Sequence, residues 1–329
     1  MIKPLIFGAL AFFVSFVLSR LVIHFLGAHL LDTPNFRSSH QIATPRGGGI
    51  ALAGGVIISS LTALQLGFVA SSEIYLLIFL SGLMATLGAC DDLLNLPVNL
   101  RLIVQFVLAV AGVLYIRSGA EWTNTIELLS IGVSVLFVVW MTNLYNFMDG
   151  INGLASLEAM SVCIGMAIIY GIRAQDIYLQ VIIGASACGF LLWNFPRAKL
   201  FMGDSGSLFL GFIFGLIIIS CAEKDLGLAS AWLILLAVFI TDASYTLAYR
   251  FFTKQAVHQA HKTHAYQKLA GNLSSHTLTS LSILAINLAW LLPIAIAVAK
   301  ADLNPIVGIV VAYAPLIFAA HKLQAGRAN

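Results

Sequence analysis

Charge is scarce in this chain. Asp, Glu, Lys and Arg make up 9% of its 329 residues, against roughly 25% in soluble domains. That scarcity excludes an ordinary solvated surface, and a formal net charge of +3 gives no basis for a nucleic-acid-binding face. Cysteine is sparse too. Cys90, Cys163, Cys188 and Cys221 lie in or beside apolar runs without CxxC spacing, which argues against a disulfide framework and a thiolate zinc site. No internal repeat, low-complexity linker or soluble appendage interrupts the sequence, so one domain over 1–329 is expected.

What fills the chain is hydrocarbon: 60% of residues are hydrophobic. Apolar runs long enough to cross ~30 Å of lipid as helices recur along the whole length. They fall at about 4–26, 48–68, 74–90, 101–117, 129–146, 153–172, 177–194, 205–222, 229–250, 278–298 and 305–321. The expected fold is all-α, a polytopic integral membrane protein of about eleven transmembrane helices. The apolar stretch within residues 1–26 is too long for a signal peptide and only Lys3 precedes it, so it reads as the first span.

The basic residues divide unequally between the two ends of these spans. Arg37, Arg46, Arg101, Arg197, Lys199, Arg250, Lys254, Lys262, Lys268, Lys322 and Arg327 fall on one side, and Lys3, Arg117, Arg173, Lys224 and Lys300 on the other. The richer side is expected to be cytoplasmic, with the N-terminus outside and the C-terminus inside.

Polar residues able to handle phosphate gather on that richer side, in segments 27–47, 90–101, 143–153, 195–207 and 250–277. A transporter would place its special residues near the midplane, often in interrupted helices of an internal repeat. A site confined to one face favours an interfacial enzyme working between a water-soluble substrate and a lipid. A non-catalytic lipid or ion transporter is the alternative.

Asp91 and Asp92 are adjacent, so each raises the cost of ionising the other. They are either a solvated helix end or a pair whose repulsion is offset by a cation, a basic residue or a substrate phosphate, one of them then serving as general base. In "NLYNFMDGING", Asn143, Asn146, Asp149 and Asn152 stand three residues apart, a slanting polar stripe if the helix continues. Amides and a carboxylate in that stripe suit phosphate, sugar hydroxyls or the water shell of an ion. Asp204 in "FMGDSGS" precedes an apolar helix; it is an N-cap residue by type, and the same geometry aims backbone N–H groups and a carboxylate at a metal-bound phosphate.

His258, His261 and His264 lie in a basic loop with Lys262. No thiolate or obvious carboxylate completes a zinc set there, so imidazoles and Lys262 meeting diphosphate oxygens compete with a solvated surface helix. The Gly47–Gly49 run reads equally as a helix entry or as a close backbone approach to a ligand. Asp242 is an acid well inside a span, and an intramembrane functional group and a structural pair fit it equally.

With these segments in hand, the chain resembles the polyprenyl-phosphate N-acetylhexosamine-1-phosphate transferase superfamily that contains WecA, TagO and MraY (glycosyltransferase family 4). "DTPNFRSSH", "TPRGGG", "CDDLLN", "NLYNFMDGING", "FMGDSGS" and a His-containing last loop occur in the family order. The resemblance implies transfer of HexNAc-1-phosphate from a UDP-sugar to undecaprenyl phosphate, with release of UMP. It implies Asp91, Asp92, Asp204, His261 and His264 as catalytic. Mg²⁺ or Mn²⁺ would sit on Asp204 and Asp92. Asp32, Arg37, Arg46, Asn143, Asn146, Asp149, Asn152 and Lys262 would bind substrate.

The pattern departs from the family at Asn95, Asn152 and the spaced "HQAHKTHAYQ". These versions are more similar to the WbpL-type subgroup that starts O-antigen chains than to MraY. The implied partners are undecaprenyl phosphate, a UDP-HexNAc and membrane lipids, the implied location is the bacterial inner membrane, and a homodimer is left open.

Overall fold

A computed structural model of the protein describes residues 2–27, 30–32, 43–69, 71–118, 124–255 and 261–327. The helices are α1 (Ile2–Phe25), α2 (Gly48–Gln65), α3 (Ser72–Leu94), α4 (Val98–Ile116), α5 (Thr125–Met148), α6 (Leu154–Ile172) and α7 (Tyr178–Asn194). They continue as α8 (Asp204–Lys224), α9 (Leu226–Leu235), α10 (Ala237–Phe252), α11 (Ala265–Leu273), α12 (His276–Ile286), α13 (Leu292–Ala299) and α14 (Pro305–Lys322). The only described strands are β1 (Leu31–Asp32) and β2 (Thr44–Pro45), an antiparallel pair that ties the end of α1 to the start of α2.

Each of the eleven predicted spans is helical, but not all are simple crossings. Among the described residues, nine helices are long and apolar enough to cross a membrane, counting α12 through α13 as one. The predicted span 229–250 is broken instead: α9 and α10 meet at a 70° bend, and together they would make a tenth. The span at α7 has 17 residues, just short of a full crossing. Between α12 and α13 the helix widens into a π turn at Asn287–Leu291. The chain is a multi-pass, all-helical membrane protein.

The bundle is built around α8. Its spanning window is 94% buried, against 22% for α4 and 17% for α14. It packs on α2, α3, α4, α5 and α9. The outer helices instead present Ile126, Leu129, Ile306 and Phe318 outward, as lipid contact requires. Close packing on α8 depends on missing side chains: a Cβ at Gly49 would strike the Gly206 backbone, and one at Gly88 the Asp204 carbonyl. Small residues that let backbones approach are the usual basis of helix association in lipid.

The ends of the bundle differ chemically. At one end the charges pair off simply, Arg117 with Glu223 at 2.5 Å, Lys224 with Glu73 at 2.5 Å and Arg173 with Asp225 at 2.6 Å. At the other end meet the start of α8, the ends of α3, α5 and α10, and α11, and here the acids outnumber simple pairs.

Candidate active site

The turn before α8 sets the geometry. Gly203 has φ 71°, in the left-handed region, and a side chain there would run into the Asp92 carboxylate. With that turn in place, Asp92 of α3 accepts the Asp204 N–H at 3.0 Å on Oδ1 and the Ser205 N–H at 3.1 Å on Oδ2. Two of the N–H groups that a helix start leaves without intrahelical partners are thereby satisfied by a carboxylate from a different helix. The Asp92 side chain is 1% exposed. Arg46, directly after β2, donates to the Asp92 backbone carbonyl at 2.6 Å and to Asn95 Oδ1 at 3.3 Å, with its Nε 3.9 Å from Asp92 Oδ1.

Asp91 faces the other way round α3. It accepts the Leu96 N–H at 2.7 Å and pairs with Arg101 of α4. The same Arg101 Nη1 reaches Asp204 Oδ2 at 3.0 Å. One guanidinium therefore holds carboxylates from two helices in a single cluster. Asn146 completes it, donating at 2.9 Å both to Asp204 Oδ1 and to Ser207 Oγ. The Asp204 side chain stays 26% exposed, so the cluster opens to the outside through Asp204.

The stripe expected from Asn143, Asn146, Asp149 and Asn152 does not run as one row, because α5 ends at Met148. Asn143 and Asn146 lie on the helix, where Asn143 donates to Gln105 Oε1 at 2.7 Å. Asp149 follows it, half-buried, and its side chain takes no hydrogen bond from any described residue. Burial, and then the charges of Asp204 and Asp92, push its carboxyl well above the ordinary range. Asn152 lies in the next turn, donates to the Pro196 carbonyl at 3.2 Å and so braces the 195–203 turn.

The histidine segment comes in against this loop. Tyr266 of α11 donates to the Phe147 carbonyl at 3.1 Å, and its hydroxyl occupies the space a Cβ on Gly150 would need. His264 is buried, its ring 6.1 Å from Phe147 and 4.9 Å from His261. His261 is half-buried, with Nδ1 2.9 Å from Thr263 Oγ1. Burial, with His264 and Arg250 adding to the effect and Asp242 opposing it, pushes the His261 imidazole down to about 4. Lys262 is exposed beside it, and Asp32 lies in β1. Arg37 and His258 lie outside the described residues.

Thus Asp91, Asp92, Asp204, Asn146 and Arg46 come together directly, with Asp149 beside them and the histidines behind Phe147. In the sequence Arg101 reads only as a topology charge, yet in the structure it links two of the candidate acids. Its spacing carried a signal: Arg101 and Gln105 are four apart at the start of α4 and so share the helix face turned to the site. Among the described residues no group of three His, Cys, Asp or Glu stands ready to hold a metal ion unaided. Mg²⁺ needs no such cage, since it commonly binds one or two carboxylates and completes its shell with water and substrate phosphate. The opening at Asp204 with Asp149 beside it fits that kind of ligation.

Fold and site together define a multi-pass membrane protein with a carboxylate–arginine centre at one end of its helices. Residues 74–222, which contain α3 through most of α8, match the model of glycosyl transferase family 4. Over these residues the chain is similar to that family. It is 29% identical over 268 residues to the probable undecaprenyl-phosphate N-acetylglucosaminyl 1-phosphate transferase of Bacillus subtilis, covering 77% of this chain and 73% of that protein. It is 29% identical to the undecaprenyl-phosphate alpha-N-acetylglucosaminyl 1-phosphate transferase of Thermotoga maritima, over 68% of this chain and 67% of the relative. With the decaprenyl-phosphate N-acetylglucosaminephosphotransferase of Mycolicibacterium smegmatis it shares 31% identity, over 65% of this chain and 61% of that protein. The match thus spans less than two thirds of the mycobacterial protein.

Proposed function

We propose that this protein transfers an N-acetylhexosamine 1-phosphate group from a UDP-sugar to undecaprenyl phosphate and releases UMP. The observation that carries the reading is the Asp91–Arg101–Asp204–Asn146 cluster at the helix ends, where a lipid phosphate and a soluble nucleotide could both arrive. The names of the relatives point the same way. In this reading the cluster faces the cytoplasm of a bacterial inner membrane.

An oxygen of the lipid phosphate attacks the β-phosphorus of the donor, the α–β phosphoanhydride bond breaks, and UMP leaves with the electron pair. Asp91, when Arg101 turns to substrate, takes the remaining proton of the lipid phosphate. Arg101 and Arg46 bring positive charge to the diphosphate, and Asn146 holds Asp204 in one rotamer. Such chemistry depends mainly on positioning and charge compensation. Mg²⁺ or Mn²⁺, held by Asp204 with Asp149 nearby, would supply charge neutralisation at the diphosphate. Both oxygens of Asp92 already accept backbone N–H groups, so we assign it to fixing Asp204 rather than to ligating the ion. Donor candidates are UDP-GlcNAc and the 6-deoxy sugars FucNAc and QuiNAc, the latter two following the WbpL-type motif versions and an O-antigen role.

The test is nucleotide release by purified protein given undecaprenyl phosphate, Mg²⁺ and a panel of these donors. UMP is expected with one of them. UDP instead would mean transfer of the sugar alone, and substrate movement across vesicles without either nucleotide would mean a transporter.

A further inference from the structure

Glu158, in the second turn of α6, is 1% exposed and meets a polar residue from a distant part of the chain. Asn287, 2% exposed, opens the π turn between α12 and α13. It donates from Nδ2 to Glu158 Oε2 at 2.6 Å and to Ser161 Oγ at 3.0 Å. Two oxygens of this pair are left over. Glu158 Oε1 and Asn287 Oδ1 are both buried, and neither has a hydrogen-bond partner among the described residues.

Both leftover oxygens are acceptors, and one hydrogen would satisfy the two together. A carboxylic acid and a primary amide that meet edge to edge make a ring of two hydrogen bonds. The amide N–H goes to one carboxyl oxygen, and the carboxyl O–H goes to the amide oxygen. The Nδ2–Oε2 bond is one half of that ring, and the leftover oxygens are the two that the other half joins. Turning the amide over does not remove the need. The 2.6 Å contact would then lie between two oxygens, which only a hydrogen can hold together.

Among the described residues no cation compensates an ionised Glu158. α6 packs on α5, α7, α9, α12, the π turn and α13. Their titratable side chains are Glu127 and Tyr145 of α5, Tyr178 and Cys188 of α7, and His276 at the far end of α12. α9, the π turn and α13 carry none, and Cys163 and Tyr170 of α6 itself add no positive charge. A carboxyl buried in such surroundings keeps its proton rather than carry an unpaired charge.

The pair lies below the active-site loop. Two turns before Asn287, Ser280 of α12 donates to the Asn152 carbonyl at 2.9 Å. Asn152 in turn braces the 195–203 turn that leads into Asp204. α6 starts at the same loop, where the Gly153 N–H donates to Asn194 Oδ1 at 2.8 Å. Glu158–Asn287 and Asn152–Ser280 are thus successive ties between α12 with its π turn and the 152–158 stretch, one deep and one at the loop.

We propose that Glu158 is a proton-binding site inside the membrane. A hydrogen on its Oε1, shared with Asn287 Oδ1, closes the carboxyl–amide ring and holds α12 in place against the active-site loop. The proton follows from the pair alone, whereas its effect on turnover rests on the transfer reaction proposed above.

Infrared spectroscopy of the full-length protein in detergent tests the proton. At neutral pH the wild type should show a protonated-carboxyl C=O stretch that moves on ¹³C labelling of the glutamate carboxyls, which separates it from any aspartic acid and needs no variant. The band should be missing in Glu158→Gln and shifted to higher frequency in Asn287→Leu, where the carboxyl has lost its amide. Kinetics test the hold on the loop. Glu158→Gln supplies its own N–H to Asn287 Oδ1 and closes the ring at any pH. Wild-type kcat should therefore fall at alkaline pH, as the proton leaves, in a step that Glu158→Gln lacks. A ¹³C shift confined to ionised carboxylate bands, or a protonated band that Asn287→Leu leaves unmoved, overturns the proton site. Superimposable alkaline limbs for wild type and Glu158→Gln overturn its hold on the loop. A wild type that releases no UMP from any donor defeats the transfer reading instead, and the infrared band then still decides whether Glu158 holds the proton.

Discussion

Asp92 accepts the backbone N–H of Asp204 at 3.0 Å, which locks the end of α3 to the start of the central helix. The two acids therefore have separable jobs. Asp92→Asn puts an amide N–H₂ against one of two backbone N–H groups it must serve, leaving a buried donor unsatisfied at a cost of about 1–3 kcal/mol. Its thermal midpoint should fall together with its turnover. Asp204→Asn keeps an acceptor for Asn146 and turns its N–H₂ towards Arg101 at a part-exposed edge, so its midpoint should fall less than that of Asp92→Asn while turnover disappears. Near-normal turnover in folded Asp204→Asn would remove Asp204 from the reacting centre.

Arg101 contacts Asp91 and Asp204 with one nitrogen. Arg101→Gln leaves those carboxylates facing each other without a cation, and should cost at least about 100-fold in kcat/KM, the scale of losing one charge-stabilising donor. Arg101→Lys keeps the charge but not the planar fork, so it should recover part of that loss. Equal activity in the Gln and Lys variants would contradict a charge role.

Gly88 is a steric prediction. A Cβ there would meet the Asp204 carbonyl, backbone that cannot swing aside. Gly88→Ala should push α3 and α8 apart, cost about 1–3 kcal/mol as overpacking does, and lower turnover by displacing Asp204. Gly132, whose Cβ would meet nothing, is the control: Gly132→Ala should leave stability and turnover intact.

Asp149 gives a pH signature. Its folded carboxyl titrates well above the ordinary 3.8, because of burial and of the charges on Asp204 and Asp92. Between 3.8 and that raised value the folded state binds more protons than the unfolded one. Stability therefore falls as pH rises through the window. Asp149→Asn removes the penalty, so its thermal midpoint should match wild type in acid and exceed it increasingly towards neutral pH, while turnover drops. Parallel midpoint curves for the two proteins would contradict the shift.

Much of this was legible in the sequence. Long apolar runs announce spanning helices because hydrocarbon leaves a backbone few other choices, and the clustering of "CDD", "NLYNFMD" and "FMGDSGS" at alternate helix ends brought the right segments together. What stayed hidden was long-range. Nothing local says that the break at Leu236 turns the ninth span into two helices at 70°. Asp91 and Asp92 look equivalent in the chain, and only the position of the Gly203 turn gives Asp92 to the N–H groups that open α8, while Asp91 is left to Arg101 and the Leu96 N–H. Asn152 carries the spacing of Asn146 but lies past the end of α5, where it holds a turn. Asp242 could be a functional acid or a structural one until α11, far along the sequence, supplies its partners.

The most direct measurement follows the β-phosphate. Purified protein is given UDP-GlcNAc labelled with ³²P at that phosphorus, or the matching 6-deoxy donor if that is the one used, together with Mg²⁺ and undecaprenyl phosphate. Label should move into the organic-extractable lipid in step with UMP release, and Asp204→Asn should move none. Label that stays in the aqueous phase with every donor, while the protein is folded and the lipid is present, would contradict phosphoryl transfer at this site.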